Sequence, residues 1–291
     1  MTQCIKILRF SDPGPEYYQK YETIKFPGGE IGVRLDMSAH PAYVRGRYAS
    51  IRADLKTPSD IMELLMVTNA LRHDMCEKIH LMMPYVPYGR QDRVAVDGES
   101  LSIKVFADLI NSQNYDSVEI WDPHSDVTPA LINNCEILDS RHWIESITPL
   151  FFSDKRYCCL VAPDLGASKK VAKIAKDLNI GFIQAHKARD PKTGKISDVV
   201  ILDKLEEDLS ETSFLIVDDI CDGGGTFIQL AKVLKSFKPK SVDLYVTHGI
   251  FSKGFNVFDG IINQVFCPNF WDTENLPKNF FNLNKGDEIE L

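Results

Sequence analysis

The chain has no CxxC pair. Its seven cysteines, Cys4, Cys76, Cys135, Cys158, Cys159, Cys221 and Cys267, are odd in number and scattered. That distribution argues against a disulfide framework and a zinc knuckle, and reads as thiols kept in a reducing compartment. No apolar run approaches the roughly 20 residues that cross a bilayer. The first residues lack the basic-then-apolar pattern of an export signal. A cytoplasmic location is the expectation. Long basic runs are absent too: 33 Lys and Arg stand against 41 Asp and Glu, a net charge of −8. Nucleic acid and anionic membrane are therefore disfavoured as partners, and neither terminus offers a basic helix-turn-helix pattern.

What is present is an ordinary globular composition, 44% hydrophobic and 25% charged over 291 residues. That length is long for one core and short for three, which predicts two domains, residues 1–140 and 141–291. Short β-rich runs alternate with amphipathic stretches, which predicts α/β layers with mainly parallel sheets. Strands are expected at "IKILRF", "EIGVRL", "KIHLMMPY" and "SVEIWD" in the first half, then at "YCCLVAP", "GFIQA", "SFLIVDD" and "SVDLYVTH" in the second. Helices are expected at "PSDIMELLMVTNALRHD", capped at Ser59 with Ile61, Leu64, Leu65, Thr68 and Leu71 on one face, and at "SLSIKVFADLINS". Others are expected from about Asp126, at "ASKKVAKIAKDL" and at "GTFIQLAKVLKSF". In parallel sheets ligands collect at the carboxyl ends of strands. Four polar clusters follow Met83, Trp121, Ala162 and Val217.

The most informative stretch is "LIVDDICDGGGTF", residues 215–227. Gly223, Gly224 and Gly225 allow a tight turn with exposed N–H groups, and a helix starting near Thr226 aims its positive end at the same spot, which suits a phosphate. Asp218, Asp219 and Asp222 would repel that phosphate unless something stands between them. At the strand tip, Asp218 and Asp219 can accept hydrogen bonds from vicinal ribose hydroxyls or hold a metal. "GRQDR" sets Arg90 beside Gln91 and Asp92; a surface salt-bridge cluster is the plain reading, but the planar guanidinium suits phosphate. His124 alone is more often a structural histidine than a ligand. "AHKARDPKTGK", with Lys187, Arg189, Lys192 and Lys195, reads by itself as a solvated, mobile basic hairpin.

Five motifs in order, "PYVPYGRQDR" (84–93), "DPHS" (122–125), "APDLGASKK" (162–170), the 215–227 stretch and "VTHGIFS" (246–252), resemble those of the ribose-phosphate diphosphokinases, the phosphoribosyl pyrophosphate synthetases. The resemblance extends to "FPGGE" (26–30) and covers nearly the whole chain. It implies two phosphoribosyltransferase-like domains, the first on the ATP side and the second on the ribose-phosphate side. The implied reaction moves the diphosphoryl group of ATP to the anomeric hydroxyl of ribose 5-phosphate with Mg2+, leaving AMP, in nucleotide biosynthesis or NAD metabolism. Phe26, Glu30, Arg90, Gln91, Asp92 and His124 would contact ATP. Asp218, Asp219, Asp222 and Gly223 to Thr226 would hold the ribose phosphate, and His124 and Asp164 would meet the metal. Lys187 and Arg189, with His124, would serve the transfer, which needs charge neutralisation more than a proton shuttle. A homo-oligomer, at least a dimer, is also implied.

Three departures stand out. The family's phosphate loop commonly reads Asp-Thr-Gly-Gly-Thr, and here Gly223 replaces the first threonine, so one hydroxyl donor is lost and the pocket wall recedes. That change raises an alternative acceptor, a 5-substituted ribose such as ADP-ribose. Gly28 stands where the family usually has aspartate, which alters the adenine contacts. "VAVDGESLSIK" after "GRQDR" is poor in basic residues, which argues against control by phosphate and ADP. A non-catalytic regulatory relative is the rival from another class, weakened by the presence of Lys187, Arg189, His124, Asp164 and the aspartate pair.

Overall fold

The computed structural model describes residues 4–10, 17–38, 48–151, 158–189, 196–201, 208–271 and 276–284. The chain divides into two compact units, Met1–Leu138 and Asp139–Leu291.

The first unit holds β1 (Ile5–Phe10), β2 (Tyr17–Gln19), β3 (Tyr21–Lys25), β4 (Ile31–Leu35), β5 (Tyr48–Ala53), α1 (Pro58–His73), β6 (Lys78–Met83), α2 (Ser102–Asn111), β7 (Ser117–Trp121), α3 (Val127–Leu131) and β8 (Cys135–Leu138). Its sheet runs β2-β1-β5-β6-β7-β8. The strands β5 to β8 are parallel and β1 and β2 antiparallel, while β3 and β4 form a separate hairpin. The buried face of α1 is Ile61, Leu64, Val67, Thr68 and Leu71. Val67 thus takes the place expected of Leu65, which is half-buried. The cap also differs from expectation: Thr57, not Ser59, opens the helix, its side chain bonding the Asp60 N–H while the Asp60 carboxylate accepts from the Thr57 N–H at 2.7 Å. Pro58 occupies the first helical position, where its missing N–H costs nothing. The expected helix after Asp126 is only the five residues of α3, followed by Asn134 in the left-handed region (φ 53).

The second unit holds α4 (Arg141–Phe151), β9 (Cys158–Ala162), α5 (Leu165–Leu178), β10 (Gly181–Arg189), β11 (Ile196–Ile201), β12 (Ser213–Cys221), α6 (Gly225–Ser236), β13 (Ser241–Gly249), β14 (Val265–Cys267), β15 (Asn269–Phe270) and β16 (Phe280–Asn282). The sheet order is β11-β10-β9-β12-β13-β14-β16, with β15 on β13. All of these pairs are parallel except β10 with β11. In β12, Phe214 to Val217 are all buried, the continuous apolar run expected of a strand covered on both faces. Helix α5 packs on β9, β10 and β12, and α6 on β13 and β11. Among the described residues no helix is long and apolar enough to cross a membrane.

Candidate active site

The neighbouring parallel strands β6 and β7 in the first unit send their loops off the same edge of the sheet. The Trp121 N–H donates to the Pro84 carbonyl across 3.1 Å, which ties the start of "PYVPYGRQDR" to the start of "DPHS". Each loop turns through a left-handed residue, Tyr88 (φ 64) and Asp122 (φ 40). Asp122 is buried and its N–H donates to Leu138 O, so the chain turns at once and presents His124 at the surface. Arg90 and Gln91 are exposed and Asp92 half-buried. Arg90, Gln91, Asp92 and His124 therefore leave one sheet edge together.

Phe26 and Glu30 close the β3–β4 hairpin, with Phe26 N–H to Glu30 O at 2.9 Å. The Phe26 ring lies against Gly32 and stays half exposed. At Gly28 the Glu30 carboxylate folds into the missing side chain's space: its Oε2 is 2.5 Å from where a Cβ would sit. The hairpin thus keeps an acidic group over residue 28, supplied by Glu30.

In the second unit the adjacent strands β10, β9, β12 and β13 carry the remaining candidates at their carboxyl ends. Asp164 follows β9 and caps α5, its Oδ1 accepting from Ala167 N–H at 3.2 Å. The nominated metal contact therefore has a structural duty on one oxygen. Strand β10 continues past β9 to Arg189 and pairs with β11 in the register Lys187 with Val199 and Arg189 with Ile196. Lys187 and Arg189 are thus on a β-hairpin arm and described by backbone; Lys192 and Lys195 lie outside the described residues.

Strand β12 runs to Cys221, so Asp218 and Asp219 sit within it and not at its tip, Asp218 opposite Val246 of β13. Asp219 is buried and its N–H donates to Asp218 Oδ1 at 3.0 Å. Burial, and then the Asp219 carboxylate, push the Asp218 pKa well above its ordinary value, while Lys170 on α5 opposes them. Two carboxylates held this close in low dielectric call for a cation or for hydroxyl donors.

The loop that follows has a backbone geometry that suits an anion. Gly224 is the N-cap of α6 in the left-handed region (φ 71), and no side chain caps the helix. A Cβ on Gly224 would meet Phe258 ring carbons at 2.7 and 2.8 Å, so only glycine fits. Around Gly225 a Cβ would find nothing within 4 Å. The first turn of α6 thus has no side-chain cap, and Gly225 at its first position is exposed. Asp222 is committed elsewhere: its carbonyl accepts from Ser252 N–H at 3.2 Å and its carboxylate from the Ser252 hydroxyl at 2.5 Å. The recess expected at Gly223 is filled. The Cε, Cδ and Cγ of Lys253 lie 3.2, 3.3 and 3.5 Å from where a Cβ would be. Neither Lys253, which follows "VTHGIFS", nor Lys170, which ends "APDLGASKK", is marked by the sequence as a site residue. The signal that could have pointed to a filler at position 223 was the missing side chain itself, and nothing local named which residue would supply it.

Two family models match the chain: the N-terminal domain of ribose phosphate pyrophosphokinase over residues 17–113, and the phosphoribosyl transferase domain over 140–268. The ribose-phosphate pyrophosphokinase of Pyrococcus furiosus is 32% identical over 80% of this chain and 79% of its own. That of Mycoplasma pneumoniae is 30% identical over 84% of this chain and 74% of its own. The crystal structure of phosphoribosylpyrophosphate synthetase from Mycobacterium smegmatis shares the fold, with a TM-score of 0.68 at 21% identity over 86% of this chain and 80% of that one. Each unit is accordingly a phosphoribosyltransferase-like α/β domain, and the chain belongs to the ribose-phosphate pyrophosphokinase family, the enzymes of phosphoribosyl pyrophosphate synthesis.

Proposed function

We propose that the protein transfers the β,γ-diphosphoryl group of ATP to the anomeric hydroxyl of ribose 5-phosphate, forming phosphoribosyl pyrophosphate and AMP. The observation that carries this reading is the uncapped start of α6 in the loop that follows the Asp218–Asp219 pair, of which Asp219 is buried and Asp218 half-buried. One feature suits a phosphate and the other suits the hydroxyls of a sugar, and a ribose phosphate offers both. In this reading Arg90, Gln91 and Asp92, with Phe26 and Glu30, hold the nucleotide. The β10–β11 arm carries Lys187 and Arg189 to the transferring group, where they neutralise developing charge. Magnesium fits the oxygen donors present. It keeps several waters and takes phosphate oxygens, so it needs no dense protein cage, and no cluster of three candidate ligands exists among the described residues. His124 and Asp164 are its proposed protein contacts, and when bound it screens the phosphate charge.

A direct test mixes protein, Mg2+, ATP and ribose 5-phosphate and separates the nucleotides. AMP is the expected product; ADP would mean a simple kinase, and unchanged ATP would overturn the reading. Lys187→Ala should lower turnover by roughly a thousandfold while sparing ATP binding.

Gly223 favours a second reading, in which the acceptor is a 5-substituted ribose such as ADP-ribose. A terminal phosphate with three free oxygens loses more from a missing hydroxyl donor than a diester does. Lys253 fills the recess, but a flexible methylene chain can move aside. Turnover with ribose 5-phosphate and ADP-ribose side by side decides, and a strong preference for ribose 5-phosphate removes this alternative.

A further inference from the structure

We propose that Lys253 is a phosphate-binding residue of the acceptor site, its ammonium set beside the 222–225 loop by packing of its methylenes on Gly223. This rests on the reading of that loop as the seat of the acceptor's 5-phosphate.

Three observations carry it. First, the backbone that bears Lys253 is fixed to the loop. Ile250 and Phe251 N–H groups donate to Cys221 O at 2.8 and 3.2 Å, Ser252 N–H to Asp222 O at 3.2 Å, and Gly254 N–H back to Phe251 O at 2.8 Å. The turn passes through Phe251 (φ 48) and Gly254 (φ 70), and the buried Phe251 ring packs on Phe255, Phe258 and Phe280. This small aromatic cluster also supplies Phe258, which closes on Gly224. Second, the alkyl chain of Lys253 occupies the volume a side chain at 223 would need. The glycine is what allows the lysine to lie there. Third, the ammonium has no hydrogen-bond or ion-pair partner among the described residues, although Lys253 is next to Ser252, which binds Asp222. A lysine placed against an acidic loop and not paired with its acids leaves its charge for a ligand. That charge comes where a phosphate must approach Asp218, Asp219 and Asp222, and lysine is a common point-charge partner for phosphate.

The test compares Lys253→Met, which keeps the methylene packing and removes the charge, with Lys253→Arg, which keeps the charge. Binding of ribose 5-phosphate, ADP-ribose and ATP is measured by calorimetry, alongside steady-state KM values. Lys253→Met is expected to weaken the preferred acceptor about tenfold or more, to leave ATP affinity within about twofold, and to leave the melting temperature unchanged because the side chain is exposed. Lys253→Arg should retain most of the affinity. In a Gly223→Thr background, where the new side chain displaces the lysine and adds a hydroxyl, the penalty of Lys253→Met should shrink. Unchanged acceptor affinity in Lys253→Met, with Asp218→Asn still weakening it, overturns the assignment of Lys253 alone. If neither variant affects acceptor binding, the reading of the loop itself fails.

Discussion

The Ser252 hydroxyl donates to Asp222 Oδ1 across 2.5 Å, joining loops thirty residues apart. It is the side-chain member of a set of bonds between the end of β13 and the end of β12, the others being backbone to Cys221 O and Asp222 O. Both residues are exposed, so Ser252→Ala should change stability by about 1 kcal/mol or less. Its effect belongs to positioning. With one stitch gone, the 250–254 turn wanders relative to the 222–225 loop. The KM for ribose 5-phosphate should rise about three- to tenfold while that for ATP stays put, and a Ser252→Thr variant should restore it.

Gly224 and Gly225 are neighbours with opposite constraints. At Gly224 any Cβ is opposed both by the left-handed backbone and by Phe258. The backbone costs about 1–2 kcal/mol and the overpacking about 1–3 kcal/mol. Gly224→Ala should therefore lower the melting temperature by roughly 5–15 °C. Gly225 is the first residue of α6 and faces open space. Alanine is a better helix former there, so Gly225→Ala should be neutral or slightly stabilising. Its methyl would nevertheless crowd the uncapped start of α6, where the proposed phosphate would sit. Thermal shift and acceptor KM together read the contrast: the first variant loses thermal stability, and the second loses acceptor affinity by about tenfold with stability intact.

Arg9 on β1 is fully buried and pairs with Asp74, just past the end of α1. Removing the carboxylate would leave a guanidinium in the core without that countercharge. Asp74→Ala should cost about 3–5 kcal/mol. The exposed pair of Arg34 and Glu22 on the β3–β4 hairpin provides the control, since Glu22→Ala should cost less than about 1 kcal/mol. Denaturant titration of both variants checks the difference.

Long periodic elements were legible in the sequence because one physical signal dominates each. Buried runs such as "SFLIVDD" and "SVDLYVTH", and the stripes of α1 and α5, read correctly to within a few residues. Strands β5, β8 and β14 to β16, two to six residues long, were not expected, and each is held by neighbours that only the completed sheet supplies. The cap of α1 was displaced because Ser59 and Thr57 are both acceptable hydroxyls, and it is the Asp60 carboxylate, three residues on, that selects Thr57. At the site, the acids and glycines of 215–227 announced themselves by composition. Lys253 and Lys170 carried no such mark. Each matters through what it lies against, Gly223 and Asp218, thirty and forty-eight residues away along the chain.

The raised pKa of Asp218 makes the aspartate pair a measurable liability to stability. In the unfolded chain the carboxyl titrates near its ordinary 3.8, and in the fold burial and Asp219 move it well above that. Between those two values the native state holds a proton the unfolded state has lost. Stability therefore falls as pH rises across that window and remains lowered above it. Asp218→Asn removes the ionisation. The variant should melt above the wild type at about pH 8, and the gap should close as pH falls below 3.8, where the wild-type carboxyl is protonated in both the folded and the unfolded chain. Each kcal/mol relieved corresponds to roughly 2–4 °C for a domain of this size. On the proposed function, the same variant should weaken ribose 5-phosphate more than ATP, because the ionised carboxylate would be the acceptor for sugar hydroxyls. A melting gap that does not depend on pH would remove the electrostatic explanation, and equal weakening of both substrates would remove Asp218 from the sugar.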